Sequence, residues 1–292
     1  MKFGLFGINM GPLSDPDASV EVAQLAEAAG FESIWAGEHV VLPDPQVAPS
    51  PLPASYPMAD PNIVFAFLAA QTKTLRMGTG IIILPQRNPL VLAKEMASLD
   101  VVSRGRLIFG VGIGYLKAEF DALGIPFDDK GPRTLEYLDA MRSIWNDAEP
   151  AYHGEFVDFA GVKAHPRPLQ AGGPPVVFGG HVPAAFRRTV SHGNGWYGFG
   201  LDLDATKGCI AGLRAAEQKV ARPASLGKIE ISVTPFGNID LDKAKRYAEA
   251  GVERLILLFP TTSPKELFSM TATRQQILDY VKRVGDEVVG KV

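Results

Sequence analysis

The sequence predicts an α/β chain folded as a closed, eight-stranded parallel barrel, the (β/α)8 or TIM barrel, with one insertion after strand 4. Three observations carry that expectation. Eight short apolar runs are spread over the 292 residues, and each is followed by at least one segment of helical character. Near the start, Ala29-Gly30-Phe31-Glu32-Ser33-Ile34 is echoed by Ala250-Gly251-Val252-Glu253-Arg254-Leu255 near the end. In both, small residues and a glycine stop a helix and feed a buried strand. The first strand is not followed by Gly-x-Gly-x-x-Gly, which counts against the rival architecture, an open doubly wound sheet.

Taken in order, Phe3 to Ile8 is the first apolar run and reads as a buried strand. Asp15 before Pro16 pairs an N-cap with proline at the first helical position, and Val20, Ala23, Leu25 and Ala26 help form an apolar helical face. Gly30 stops this helix, and Glu32 to Trp35 is the second strand. The same grammar gives a helix over 63–71, a strand over 77–84, a helix over 90–102 and a fourth strand over 107–111. After Pro175 come a strand over 176–178, a helix over 183–191, a short strand near Trp196 and a helix over 205–220. A strand over 229–234, a helix over 241–250, a strand over 255–259 and a helix over 274–288 complete the series.

Two stretches break the rhythm. Val40 to Asp60 is rich in proline and reads as a long loop after the second strand, on the face where βα loops build barrel active sites. Tyr115 to Gly173 reads as the insertion, with a helix over 135–145 and a small hairpin at Tyr152-His153-Gly154-Glu155-Phe156. It is too short to own a core, so the expected organisation is one domain over 1–292.

Composition narrows the functional classes. Hydrophobic residues make up 46% and charged residues 21%, enough for a large core and against disorder. A net charge of −3 gives no basic footprint, so no nucleic-acid partner is expected. The single cysteine, Cys209, cannot form an internal disulfide, which fits a reducing compartment. The N-terminal apolar stretch is too short for a signal peptide, and no run approaches the roughly 18 residues of a membrane helix. The expectation is a cytoplasmic globular protein with a small-molecule substrate; a homodimer stays open.

Several segments could carry chemistry. Glu38 and His39 follow the second strand at the barrel mouth, where a histidine can exchange a proton near neutral pH or simply hydrogen-bond its own loop. Gly78-Thr79-Gly80-Ile81 opens a β-branched strand; glycine there marks a bulge, a ligand approach or a packing accommodation. Gly110-Val111-Gly112-Ile113-Gly114 ends the fourth strand, and its glycines would let a flat ring or phosphate lie against the main chain. Phe178-Gly179-Gly180-His181-Val182-Pro183 joins a strand end to a helix start. We read it as an anion site on the amides of residues 180 to 182, against the alternative of an ordinary tight turn. Histidines 153, 165, 181 and 192 lack metal-ligand spacing, and no metal is expected.

Together these segments resemble the luciferase-like monooxygenase superfamily, and within it the deazaflavin-dependent oxidoreductase branch. The likeness runs through Ala29 to His39, Gly78 to Pro89, Arg104 to Tyr115, Gly154-Glu155-Phe156, Pro166-Arg167-Pro168 and Gly179-Gly180. It implies coenzyme F420, with FMN as the alternative, bound at the C-terminal mouth of the barrel. Catalytic His39 and cofactor-binding Glu38 would lie beside the reactive edge of the ring. A non-proline cis peptide at Gly80-Ile81 would back the ring, Thr79 would stand beside it, and Gly112, Ile113 and Gly114 would line it. Gly179, Gly180 and His181 would hold the phosphate. The family's sugar-phosphate dehydrogenases carry an acidic residue at Tyr115, here assigned to substrate, and a tryptophan in the loop where Val40-Val41-Leu42-Pro43-Asp44 has none. That departure points away from glucose 6-phosphate and toward a less polar carbonyl or alkene. Three functions follow: F420-dependent hydride transfer, FMN-dependent monooxygenation, or flavin binding without catalysis.

Overall fold

The computed structural model describes residues 1–259 and 272–292. Parallel strands β1 (Lys2–Phe6), β2 (Ser33–Ala36), β3 (Arg76–Thr79), β4 (Ile82–Ile83) and β5 (Leu107–Gly112) form the first half of a sheet. A small hairpin of β6 (Tyr152–His153) and β7 (Asp158–Phe159) intervenes, and β8 (Val176–Gly179), β9 (Gly195–Leu201), β10 (Glu230–Pro235) and β11 (Arg254–Leu257) form the second half. β11 pairs with β1 and β3 pairs with β5, so the sheet closes on itself. β3 and β4 are one barrel position split in two, which makes the barrel eight-stranded.

The helices arise where the sequence places caps. Asp15 accepts the Ala18 amide at the start of α1 (Pro16–Ala28), Asp60 caps α2 (Pro61–Gln71) and Asn88 caps α3 (Pro89–Val102), each with proline at the first position. At the end of α1, Gly30 has φ +82° and the Phe31 amide bonds Ala26 O, the backbone pattern that turns a helix into the next strand. The echo near the C-terminus is the same device: Gly251 has φ +94° and the Val252 amide bonds Tyr247 O, after α8 (Leu241–Glu249).

Alternation along each strand divides the core in two. Outward residues such as Ile34, Leu107, Phe109, Phe178, Trp196 and Leu255 pack under the helices. Inward residues Phe6, Trp35, Ile108, Val177, Tyr197 and Ile256 fill the barrel. Its N-terminal end is plugged by Arg254, fully buried, with Glu32, Glu230 and Ser232 around its guanidinium.

The region after β5 differs from the expectation in detail. A six-residue helix α4 (Lys117–Ala122), absent from the sequence reading, comes first. Then α5 (Lys130–Asn146), longer than the expected 135–145, sets Leu138, Met141 and Trp145 into the main core. Trp145 donates to Ala93 O of α3, so α5 takes its place in the outer ring of helices. The hairpin strands flank residues 154–157, one step beyond the expected segment. Three further helices, α6 (Pro183–His192), α7 (Leu203–Glu217) and α9 (Arg274–Glu287), complete the described ring. The β9 strand is seven residues long where a short strand was expected, and strand 77–84 is interrupted at Gly80-Ile81, whose peptide is cis. No described helix is long and apolar enough to cross a membrane.

Candidate active site

A cavity of about 520 Å³ opens at the C-terminal end of the strands. Every site residue expected from the sequence lies on its wall except Thr79. Thr79 is fully buried, and its hydroxyl both donates to Gly110 O at 2.8 Å and accepts the Gly110 amide at 2.7 Å. It ties β3 to β5 and faces away from the cavity. The wall formed by Gly80, Ile81 and Gly112 depends on that tie. A Cβ on Gly110 would lie 1.8 Å from Thr79 O, and one on Gly112 would lie 1.6 Å from Ile81 Cδ1. At Gly110 the obstacle is backbone, so only glycine lets β3 sit so close to β5 there; at Gly112 a side chain would displace the end of Ile81.

Glu38 is buried and faces inward, but its carboxylate is spoken for. It accepts the Ile83 amide at 2.6 Å and Arg87 Nε at 2.9 Å, with a second contact from the Arg87 guanidinium. Burial pushes the Glu38 carboxyl up, and Arg87 and the Ile83 amide oppose it. Arg87 also reaches Asp60 at 2.9 Å, and these carboxylates hold it charged more firmly than an ordinary arginine. The group locks the chain after β2 to the chain after β4. Neither Arg87 nor Asp60 was assigned a role from the sequence, although Arg87 stood inside a recognised motif.

His39 is the centre of a second chain of contacts. Its Nδ1 lies 3.2 Å from Glu119 Oε2, and its Nε2 lies 3.2 Å from Tyr115 Oη. Glu119 comes from α4, is 1% exposed, and accepts the Val40 amide at 2.6 Å through its other oxygen. Burial, and behind it the Glu119 charge, push the Tyr115 hydroxyl up to about 12, so it keeps its proton at neutral pH. Sequence reasoning found His39 and Tyr115 and missed Glu119. An acidic residue on a short helix carries no local signal of its partner.

At the other end of the cavity, Gly179 and Gly180 lead into α6, whose N-cap Val182 supplies no side-chain cap. Gly180 has φ +119°, a conformation that aims the following backbone at the cavity and that favours glycine. His181 Nε2 accepts the Phe199 amide at 3.1 Å, so the neutral ring carries its proton on Nδ1; partial burial lowers its pKa. Arg188, further along α6, also lines the cavity, and among the described residues its guanidinium has no carboxylate or hydrogen-bond partner. Burial and neighbouring Arg187 lower its pKa. A free guanidinium beside uncapped helix amides is an arrangement that favours an anion. Phe6, Leu52 and Met58 make most of the remaining wall apolar.

The profile of the family described as luciferase-like monooxygenase matches residues 1–285. The chain belongs to that family. An uncharacterized protein of Mycobacterium tuberculosis is 30% identical over 251 residues, covering 82% of this chain and 86% of the relative. The oxygenase component of the flavin-dependent trigonelline monooxygenase of Acinetobacter baylyi is 31% identical over 202 residues, covering 66% of this chain and 52% of that one. Among solved structures, an F420-dependent secondary alcohol dehydrogenase in complex with an F420–acetone adduct superposes with a TM-score of 0.75 at 17% identity, covering 96% of this chain and 98% of that one. The trigonelline relative is flavin-dependent by name, and the alcohol dehydrogenase of the same fold is F420-dependent.

Proposed function

We propose that this luciferase-like protein transfers hydride between coenzyme F420 and a small, weakly polar organic substrate of the carbonyl or alkene type. The observation that carries the reading is the Glu119–His39–Tyr115 chain on the wall of an otherwise apolar cavity. Hydride transfer to or from a carbonyl must be matched by a proton, and this chain is the group there built to move one. The cavity fits the cofactor. Glycine backbone at Gly80, Gly112 and Gly179 leaves a flat wall for a tricyclic ring, and Gly180 to Val182 with Arg188 meet a phosphate. Bound there, the deazaflavin would supply a carbon centre that accepts or donates hydride without readily activating oxygen. The protein's residues orient the ring, hold its phosphate and, through Phe6, Leu52 and Met58, keep water out.

FMN-dependent monooxygenation is the second reading, favoured by the likeness to the flavin-dependent trigonelline enzyme. Fluorescence titration of the purified protein with each cofactor separates the two. The expected result is saturable F420 binding with FMN at least about tenfold weaker, a difference of about 1.4 kcal/mol. Tight FMN binding with none of F420 replaces the first reading by the second.

The anion site has its own test. Gly180→Asp would place a carboxylate there, but a Cβ would also lie 2.9 Å from Ala185 Cβ at a φ that disfavours any side chain. Arg188→Ala is cleaner. It should weaken the phosphate-bearing cofactor by about 10- to 100-fold, the loss of one charged hydrogen bond of about 1.5–3 kcal/mol. Affinity for the phosphate-free ring compound should stay unchanged. Equal loss for both ligands, or for neither, places the phosphate elsewhere.

A further inference from the structure

Both ring nitrogens of His39 are engaged, and their partners set the direction of the chain. Glu119 accepts the Val40 amide with one oxygen and faces His39 Nδ1 with the other, so the proton of the neutral ring sits on Nδ1. Nε2 is then a lone pair, and Tyr115 donates its hydroxyl proton to it. The order runs from a carboxylate 1% exposed, through a largely buried imidazole, to a phenol 49% exposed at the cavity. With its proton committed to His39, Tyr115 Oη keeps lone pairs free to accept a hydrogen bond from a hydroxyl in the cavity. The imidazole itself has no free nitrogen left to offer one.

We propose that Tyr115 is a catalytic residue, the hydroxyl that meets the substrate oxygen, and that His39 is the proton acceptor behind it. The inference rests on the hydride-transfer reading and narrows its substrates to an alcohol–carbonyl pair. In the oxidative direction the carbinol carbon gives up its hydride to the oxidised cofactor, and the C–O bond becomes a C=O double bond. The hydroxyl proton passes to Tyr115 Oη as the phenolic proton moves to His39 Nε2. The products are a ketone, a reduced cofactor and an imidazolium whose Nδ1–H faces the Glu119 carboxylate. Carbonyl reduction is the reverse. Tyr115 ends each turnover with its hydroxyl intact, so an elevated pKa does not impede a relay in which it is never a free phenolate.

Two measurements test this. In the first, the protein without cofactor is labelled with ¹⁵N-histidine, and His39 is assigned by the loss of its signals in His39→Gln. The wild type should show the Nδ1–H tautomer, and Tyr115→Phe should keep that tautomer while shifting the Nε2 resonance. An Nε2–H tautomer, or an Nε2 resonance indifferent to Tyr115→Phe, overturns the relay without reference to any substrate. In the second, 2-propanol, 2-butanol and cyclohexanol are offered with F420, and reduction is followed by deazaflavin absorbance. Tyr115→Phe should lower kcat by about 10²-fold or more, within the range for loss of acid–base catalysis. A variant with wild-type kcat refutes the catalytic role even if the tautomer is as expected. A wild type that oxidises none of these alcohols with F420, yet binds FMN, removes the hydride-transfer reading and this step with it.

Discussion

Replacing His39 by alanine should lower kcat by about 10²–10⁴-fold, the contribution expected of a positioned acid–base group. Cofactor affinity should stay within about tenfold, about 1.4 kcal/mol. The split follows from the geometry. His39 contacts Glu119 on one side and Tyr115 on the other, while Arg188 and the α6 amides lie at the far end of the cavity. Removing the imidazole leaves the proposed anion site whole and deprives Tyr115 of the lone pair that would take its proton. Steady-state kinetics and a cofactor titration on the same preparation check both halves. Full turnover in His39→Ala would show that the chain of contacts is structural, with the loop at Val40 as its beneficiary.

The barrel was legible because buried parallel strands leave short apolar runs and their helices leave caps. Asp15-Pro16, Asp60-Pro61 and Asn88-Pro89 are each a cap that can be read without a structure. Expected and observed element limits differ mostly by one to three residues at ends that fray between assignments. The long run of β9, Gly195-Trp196-Tyr197-Gly198-Phe199-Gly200-Leu201, was harder to see. It has no β-branched residue, and its glycines break up the aromatic run that would otherwise mark a strand.

The site was legible where it lies on the main chain and illegible where it depends on distant side chains. Glycines 80, 112, 179 and 180 announce close backbone approach, and all of them reach the cavity. Thr79 shows where motif reading outran geometry. Side chains alternate across a strand, so a residue between Gly78 and Gly80, both of which face Trp35 or Phe6 in the barrel interior, must point outward. Glu119 and Arg188 are a different case. Glu119 lies 80 residues from the histidine it meets, on a helix too short to show a period. Arg188 sits on a helix with other basic residues, and only the fold shows which of them turns into the cavity.

Replacing Arg254 by methionine should cost about 3 kcal/mol of stability at pH 7, the low end for breaking a buried ion pair because its partners are partly exposed. Arg254 has a fully buried side chain. It donates to both oxygens of Glu32 at 2.9 and 3.0 Å, to Ser232 Oγ at 3.1 Å, and to Glu230, which Lys2 also contacts. Burial alone would raise the Glu32 and Glu230 carboxyls, but Arg254 holds both below the ordinary carboxylate value. A carboxyl depressed in the folded state contributes stability above its unfolded pKa and loses it as pH falls through the folded one. The wild type should therefore weaken on acidification below about pH 4.5, near the unfolded value. In Arg254→Met, Ser33 and Arg76 still oppose the burial of Glu32 and Lys2 still opposes that of Glu230, but the largest lowering influence is gone, so this part of the pH dependence shrinks. Urea unfolding at pH 7 and pH 3.5 measures it. The gap between wild type and variant should be wide at pH 7 and narrow at pH 3.5. An equal gap at both values would mean that Arg254 acts by packing against Trp35, 5.7 Å from its guanidinium carbon, and not through the two carboxylates.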